Sequence, residues 1–285
     1  MDTRYLRSLI AVVERGSIAD AARAENLTAA AVSQRIQALE RELGQTLLTR
    51  VGHAAKATDV CHALLPRARR IVQEVALLPD DADPAGLTGT LNLGVISTAL
   101  TGMLPAALQT LKRLAPGIRP HVVPGASKSL YALLVNGEID AALLVTPPFE
   151  LAKSLAVVSL RREPLVLLSR KKPKGSIAAT LQQHPYIRYD PHSWGGRLAE
   201  AYLKRLTLSV DPVFDLDALE AIAMLVADNV GVSLVPHWTG LERIAAQCAI
   251  TPVGDDKFSR ELVLMTAGMH QRPHVMAALL QALQG

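Results

Sequence analysis

Between Thr28 and Leu43 the chain reads TAAAVSQRIQALEREL. Val32, Ile36, Leu39 and Leu43 recur at three- and four-residue steps. A helix here would turn them inward and present Ala30, Gln34, Gln37 and Arg41 on the opposite face, flanked by Ser33 and Arg35. These side chains share one chemistry. Glutamine pairs bidentately with the adenine edge, alanine meets a thymine methyl, and serine or arginine holds phosphate oxygens. A solvated outer face is the competing reading, but such a face usually carries Glu and Lys from its first turn.

A second set of residues suits a small ligand. Val95-Ile96-Ser97-Thr98-Ala99 reads as a passage from strand to helix, which gathers hydroxyls and free backbone N–H groups fit for a carboxylate or phosphate. Ser127 precedes another helix one strand over. Thr146 ends a third strand, and ligands of open parallel sheets collect at strand carboxyl ends. Ser193-Trp194-Gly195-Gly196-Arg197 adds an aromatic wall, a pliant backbone and a cation. Together they fit a small anion, most simply a carboxylate with an apolar part near Trp194. Each hydroxyl is equally readable as a helix cap, Arg197 as a partner of Glu200, and Trp194 as core.

Other chemistries lack their residues. No G-x-S-x-G elbow, phosphate loop or G-x-G-x-x-G is present, and His270-x-x-x-His274 is interrupted by Pro273. No enzyme activity, metal or cofactor is expected. The two cysteines, Cys61 and Cys248, lie far apart without C-x-x-C spacing and read as reduced thiols. Across 285 residues, 49% are hydrophobic and 20% charged, enough apolar material for roughly two domains and too little charge for a disordered chain. No apolar run reaches a membrane span, and the N-terminus shows no cleavable signal, so a cytoplasmic protein without membrane contact is expected. The net charge of +4 arises in residues 1–70, where 11 Lys+Arg face 7 Asp+Glu; the remainder is balanced, 19 against 19. Ten of those eleven cations are arginines, the better fork for phosphate.

The elements that must position these residues follow from period and caps. Leu6, Leu9, Ile10 and Val13 mark a first helix ended by Gly16. Ser17 with Asp20 caps a short second helix closing at Asn26, and Thr28 caps the third, ended by Gly44. QTLLTRVGHAAKAT then reads as a two-stranded wing around residues 51–53. Two helices joined by the Asn26-Leu27 turn have helix-turn-helix geometry, in which the second helix enters the major groove of double-stranded DNA.

From Thr58 to Leu78 a seam of Leu64, Ala68, Ile71, Val75 and Leu78 reads as a long dimerisation helix, kinked by Pro66, before the linker-like PDDADPAGLTG. Beyond Leu87, strands and helices alternate as βαβαβ, implying a parallel sheet. LAVVSL and EPLVLLS then read as two adjacent strands, followed by further helix and strand pairs and a terminal helix, PHVMAALLQAL.

Residues 5–50 resemble the winged helix-turn-helix of LysR-type transcriptional regulators. The match runs through Gly16-Ser17, Ala21-Ala22, Leu27-Thr28, Ala31-Val32-Ser33, Ile36, Leu39-Glu40, Leu43-Gly44, Leu47 and Arg50. LNLGVIS, NGEIDAAL and NVGVSLVP extend the likeness over essentially the whole chain. The resemblance implies an N-terminal winged helix-turn-helix at 1–58, a linker and dimerisation helix at 59–87, and an α/β effector domain at 88–285. That domain would resemble type II periplasmic binding proteins, with subdomain I at about 88–160 and 267–285, subdomain II at about 161–266, and a small-molecule effector in the cleft between them.

DNA contacts would then come from Thr28, Ala30, Ser33, Gln34, Arg35, Gln37, Arg50 and His53, on an operator read by a dimer or tetramer, with RNA polymerase a candidate further partner. Three departures stand out. Ala29-Ala30 replaces the frequent Gln-Pro, His53 replaces a second wing arginine, and Cys61 stands where glycine is usual in the linker helix. With only Cys248 in the effector domain, a disulfide switch of the peroxide-sensing kind is not expected. A stand-alone solute-binding protein, or a DNA-compaction protein, is the rival class; a gel shift on the upstream region separates them.

Overall fold

The computed structural model describes residues 1–51, 54–81, 86–267 and 272–285. The chain divides into two compact units, 1–86 with 135–138, and 87–134 with 139–285.

In the first unit the helices are α1 (Thr3–Arg15), α2 (Ile18–Ala24) and α3 (Ala29–Leu43). Gly16 and Gly44 end α1 and α3 in the left-handed conformation, with φ of 76° and 65°, as their positions after the last periodic residue require. Asn26 adopts the same region, φ 55°, and makes the turn between α2 and α3. Leu6, Leu9, Val12, Val32, Ile36 and Leu39 bury together as the core. Strands β1 (Leu48–Val51) and β2 (Ala54–Ala57) pair antiparallel as the wing.

Helix α4 (Asp59–Asp81) follows, capped by Thr58, whose Oγ1 accepts from Cys61 N at 3.2 Å. It runs unbroken through Pro66, as one long helix. Its two sides differ. Cys61, Leu65 and Ala68 are buried in the core of their own unit, with Leu64 and Val72 packed against it. Ile71, Val75 and Leu78 stay 38%, 37% and 61% exposed. Ala68 therefore belongs to the intramolecular face, not to an outward seam, and Leu64 is half-buried there too.

The second unit is built on β3 (Thr88–Val95), α5 (Ser97–Gly102), α6 (Leu104–Leu114), β4 (Gly117–Pro124), α7 (Ser127–Val135) and β5 (Ala141–Val145). β3 lies parallel to both β4 and β5, which is the βαβαβ arrangement expected. Next comes β6 (Leu155–Ser169), one continuous strand of 15 residues where the sequence reads as two. Arg161-Arg162 reads as the break between them, yet successive partners hold the strand on both sides of it, with a register shift at Leu160.

The remaining elements are α8 (Ile177–Gln183), β7 (Tyr186–Tyr189), α9 (Gly196–Arg205), β8 (Pro212–Leu216), α10 (Leu219–Ala227), β9 (Ser233–Pro236), α11 (Leu241–Ile244), β10 (Ala249–Pro252), β11 (Ser259–Ala267) and α12 (Pro273–Gln284). The first part of β6 pairs with β11, and its last residues pair with β9 and β10. β11 also pairs antiparallel with β5, so β6 and β11 carry the sheet from one half of this unit into the other. Three apolar cores form, one around β3–β5 and α12, and two on the sides of β6, β7 and β9.

Candidate functional site

The helix-turn-helix is assembled from local caps and one polar network. Ser17 Oγ accepts from Asp20 N at 3.0 Å and Thr28 Oγ1 from Ala31 N at 3.1 Å, so both helix starts are fixed by the residues that mark them in sequence. Ala30, Gln34, Gln37 and Arg41 are exposed on one side of α3, with Ser33 half-buried at its edge. Arg35 does not join them. Its Nη1 lies 3.1 Å from Ser8 Oγ and 3.6 Å from Glu25 Oε2, while Ser8 donates to Glu25 at 2.6 Å. That triad ties α1, the end of α2 and α3 together and engages the guanidinium with other helices.

The wing is placed by Glu40 Oε1, which accepts from Leu47 N at 2.7 Å and Leu48 N at 3.2 Å, and by Ala55 N donating to Gly16 O. Arg50 sits in β1 opposite Ala55. His53 lies outside the described residues.

A cleft of about 590 Å³ opens within the second unit. Ser97, Thr98, Ser127 and Trp194 line it; Thr146 and Arg197 do not. Thr146 instead directs its hydroxyl to Glu261 on β11, and Arg197 is exposed on α9 away from the lining. The cations on the cleft wall are Arg260 and Lys128. Arg260 is 3% exposed and donates from Nε to Glu163 Oε2 at 2.6 Å and from Nη2 to Thr98 Oγ1 at 2.9 Å. Thr98 is thus half of a structural tie, and Ser127 Oγ likewise accepts from Val145 N at 3.1 Å. Ser97 remains the exposed hydroxyl at this wall.

Trp194 is both wall and core. It is 8% exposed, and its ring stands edge-on to Tyr131 and Phe149, with centroids 5.9 and 5.6 Å away.

The opposite wall carries acids absent from the sequence reading. Asp190 and Asp217 both line the cleft. Partial desolvation, with Asp190 nearby, raises the Asp217 carboxyl above its ordinary range, while Ser193 and Arg260 pull the other way. Burial likewise raises the Tyr189 phenol. Neither aspartate is ion-paired among the described residues. Asp217 stands one residue before Ala218, the N-cap of α10, and no side-chain bond caps that helix. Arg260 gives no local sign at all.

Burial raises both thiols, Cys61 and Cys248, which favours their protonated form. Among the described residues no group of His, Cys, Asp and Glu could hold a metal ion, and no helix is long and apolar enough to cross a membrane.

Comparison with known proteins decides the family. Residues 3–62 match the bacterial regulatory helix-turn-helix protein model of the lysR family, and residues 84–285 match the LysR substrate binding domain. The chain belongs to the LysR family. The HTH-type transcriptional regulator CfxR of Cupriavidus necator is 28% identical over 268 residues, covering 90% of this chain and 83% of the relative. IlvR of Caulobacter vibrioides is 29% identical, covering 83% of this chain and 82% of the relative.

Two solved structures share the fold. A full-length OxyR variant from Pseudomonas aeruginosa superposes with a TM-score of 0.76 at 20% identity, covering 100% of this chain and 95% of that one. Full-length CbnR bound to its target DNA gives 0.67 at 23%, covering 100% and 99%. This LysR protein is a DNA-binding transcriptional regulator with an effector-binding domain, and its relatives are regulators rather than enzymes. A solute-binding protein would have no use for the matched helix-turn-helix.

Proposed function

We propose that Gln34, Gln37 and Ala30 read base edges of an operator in the major groove, with Thr28 fixing the start of the reading helix, and Ser33 and the wing residue Arg50 holding phosphate. The exposed stripe of Ile71, Val75 and Leu78 on α4 joins two copies, so that two reading helices address a pseudo-palindrome with half-sites about one turn apart; pairs of such dimers make the tetramer. The protein works where operator DNA is, in the cytoplasm.

The signal is a small anion, most simply a carboxylate, held in the cleft with its charged end near Ser97 and Lys128 and its apolar part on Trp194. One observation carries this reading: hydroxyls, a cation and an aromatic ring from chain segments far apart in sequence line a single cavity of about 590 Å³. Binding that favours one closure of the cleft would shift the population of DNA-competent conformers. A thermal-shift screen of metabolite carboxylates on wild type, Ser97→Ala and Trp194→Ala tests it. A hit that stabilises wild type and loses its effect in both variants supports the cleft; a hit that stabilises all three equally places its site elsewhere.

A further inference from the structure

A second concavity of about 970 Å³ lies between the end of β6 and the segment after α10, and it shares no residue with the effector cleft. Its rim is Arg170, Lys171, Lys172 and Lys174. His184 is on the facing side, and no aspartate or glutamate is among its lining residues. Four positive charges are therefore gathered around one groove, in a stretch of chain, residues 87–285, where 19 Lys+Arg face 15 Asp+Glu.

The three lysines lie in a loop too short for them to separate, and none is ion-paired among the described residues. Their mutual repulsion opposes the folded loop, and an anion bridging them would relieve it.

The groove is built, not merely a charged edge. Ser169 Oγ donates to Lys171 O at 2.8 Å, and Arg170 Nη1 donates to Gln247 O at 3.0 Å, so the first cations of the loop have a fixed backbone course. Across from them, Val232 N donates to Pro185 O at 2.9 Å. Gly231 packs so close that an added Cβ would lie 2.4 Å from Pro185 O. This wall offers Pro185 and Val230 as apolar surface beside the amides of Gln183 and Asn229. Several adjacent ammonium groups match a run of linked oxyanions better than a single carboxylate, which one cation satisfies.

We propose that this groove is a second ligand site, distinct from the effector cleft, for a small molecule bearing a di- or triphosphate chain. The chain is bound by Lys171, Lys172 and Lys174. Where a nucleoside is attached, its base rests on the Pro185 and Val230 wall.

Calorimetric titration of the full-length protein with ATP, inorganic tripolyphosphate and orthophosphate tests this, in wild type, Lys172→Ala/Lys174→Ala and the DNA-face variant Arg50→Ala. Both triphosphates should bind wild type and Arg50→Ala alike and bind the double-lysine variant at least tenfold more weakly, while that variant, relieved of part of the repulsion, melts no lower than wild type without ligand and keeps its operator affinity. Tighter binding of ATP assigns a nucleotide; equal binding assigns the phosphate chain alone. No saturable binding at millimolar ligand would overturn the proposal. So would equal affinity in the double-lysine variant, loss of binding in Arg50→Ala, or orthophosphate binding as well as tripolyphosphate.

Discussion

Arg260 and Glu163 face each other in register across β11 and β6, Nε to Oε2 at 2.6 Å, each side chain 2% exposed. The same guanidinium reaches Thr98 on the cleft wall, so one buried ion pair joins the strands that cross between the halves of the effector domain to the start of α5. A buried charge left without its partner is costly, whereas a pair replaced by apolar groups is often tolerated. Glu163→Ala should therefore destabilise the protein by ~3–5 kcal/mol in chemical denaturation. Glu163→Leu/Arg260→Met should recover much of the loss. A Glu163→Ala midpoint equal to wild type would mean that the pair does not hold the crossing strands.

The aspartate on the opposite wall gives a pH signature. Its native carboxyl sits above the ordinary 3.8, chiefly through desolvation and then through Asp190. The folded state thus holds this proton more tightly than the unfolded chain. The associated stability is complete below pH 3.8 and is lost as pH rises through the raised native value. Asp217→Asn removes the dependence. Melting temperatures of variant and wild type should diverge in favour of Asn as pH climbs from below 3.8 to 7; a constant difference across that range would show that Asp217 titrates normally.

On the DNA face, Gln34→Ala should cost ~1–3 kcal/mol on the operator alone, because a lost base contact matters only where the base is present. Arg50→Ala should weaken binding to every sequence and lower the salt slope by about one. Titrations on operator and random duplex at several salt concentrations separate the two. Equal losses for Gln34→Ala on both duplexes would remove it from base reading.

Self-association should depend on the outward stripe of α4. Ile71→Asp/Leu78→Asp places charge at positions 38% and 61% exposed, where a monomer tolerates it and an apolar interface does not. Sedimentation should show monomers that have lost operator affinity but kept their fold. Leu64 is a poorer probe, since it packs against its own unit's core and a charge there unfolds before it dissociates. A double variant that stays dimeric would move the interface elsewhere.

The DNA-binding half was legible in the sequence because its determinants are local. The caps Ser17 and Thr28, the left-handed turns at Gly16, Asn26 and Gly44, and the 3.6-residue stripe of Val32, Ile36 and Leu39 act within a few residues of one another. The parallel β3, β4 and β5 with their helices were legible for the same reason.

Contacts between distant segments decided the rest. Arg35 shares the outer flank of α3 by period, but Ser8 and Glu25 on other helices draw it inward. Ala68 follows the α4 seam in spacing, yet the core beneath it claims that side of the helix. Arg161-Arg162 reads as a break between two strands, but pairing with β11, drawn from far along the chain, carries β6 through it with a register shift at Leu160. Thr98 and Arg260 lie 162 residues apart, and only the closing of the sheet brings them together. The same closing leaves Arg197 and Thr146 off the cleft while bringing Asp217 onto it. Periodicity assigns a residue to a face of its own element; which face meets which neighbour, and which charge finds its counter-ion, is set by packing energies that no local pattern contains.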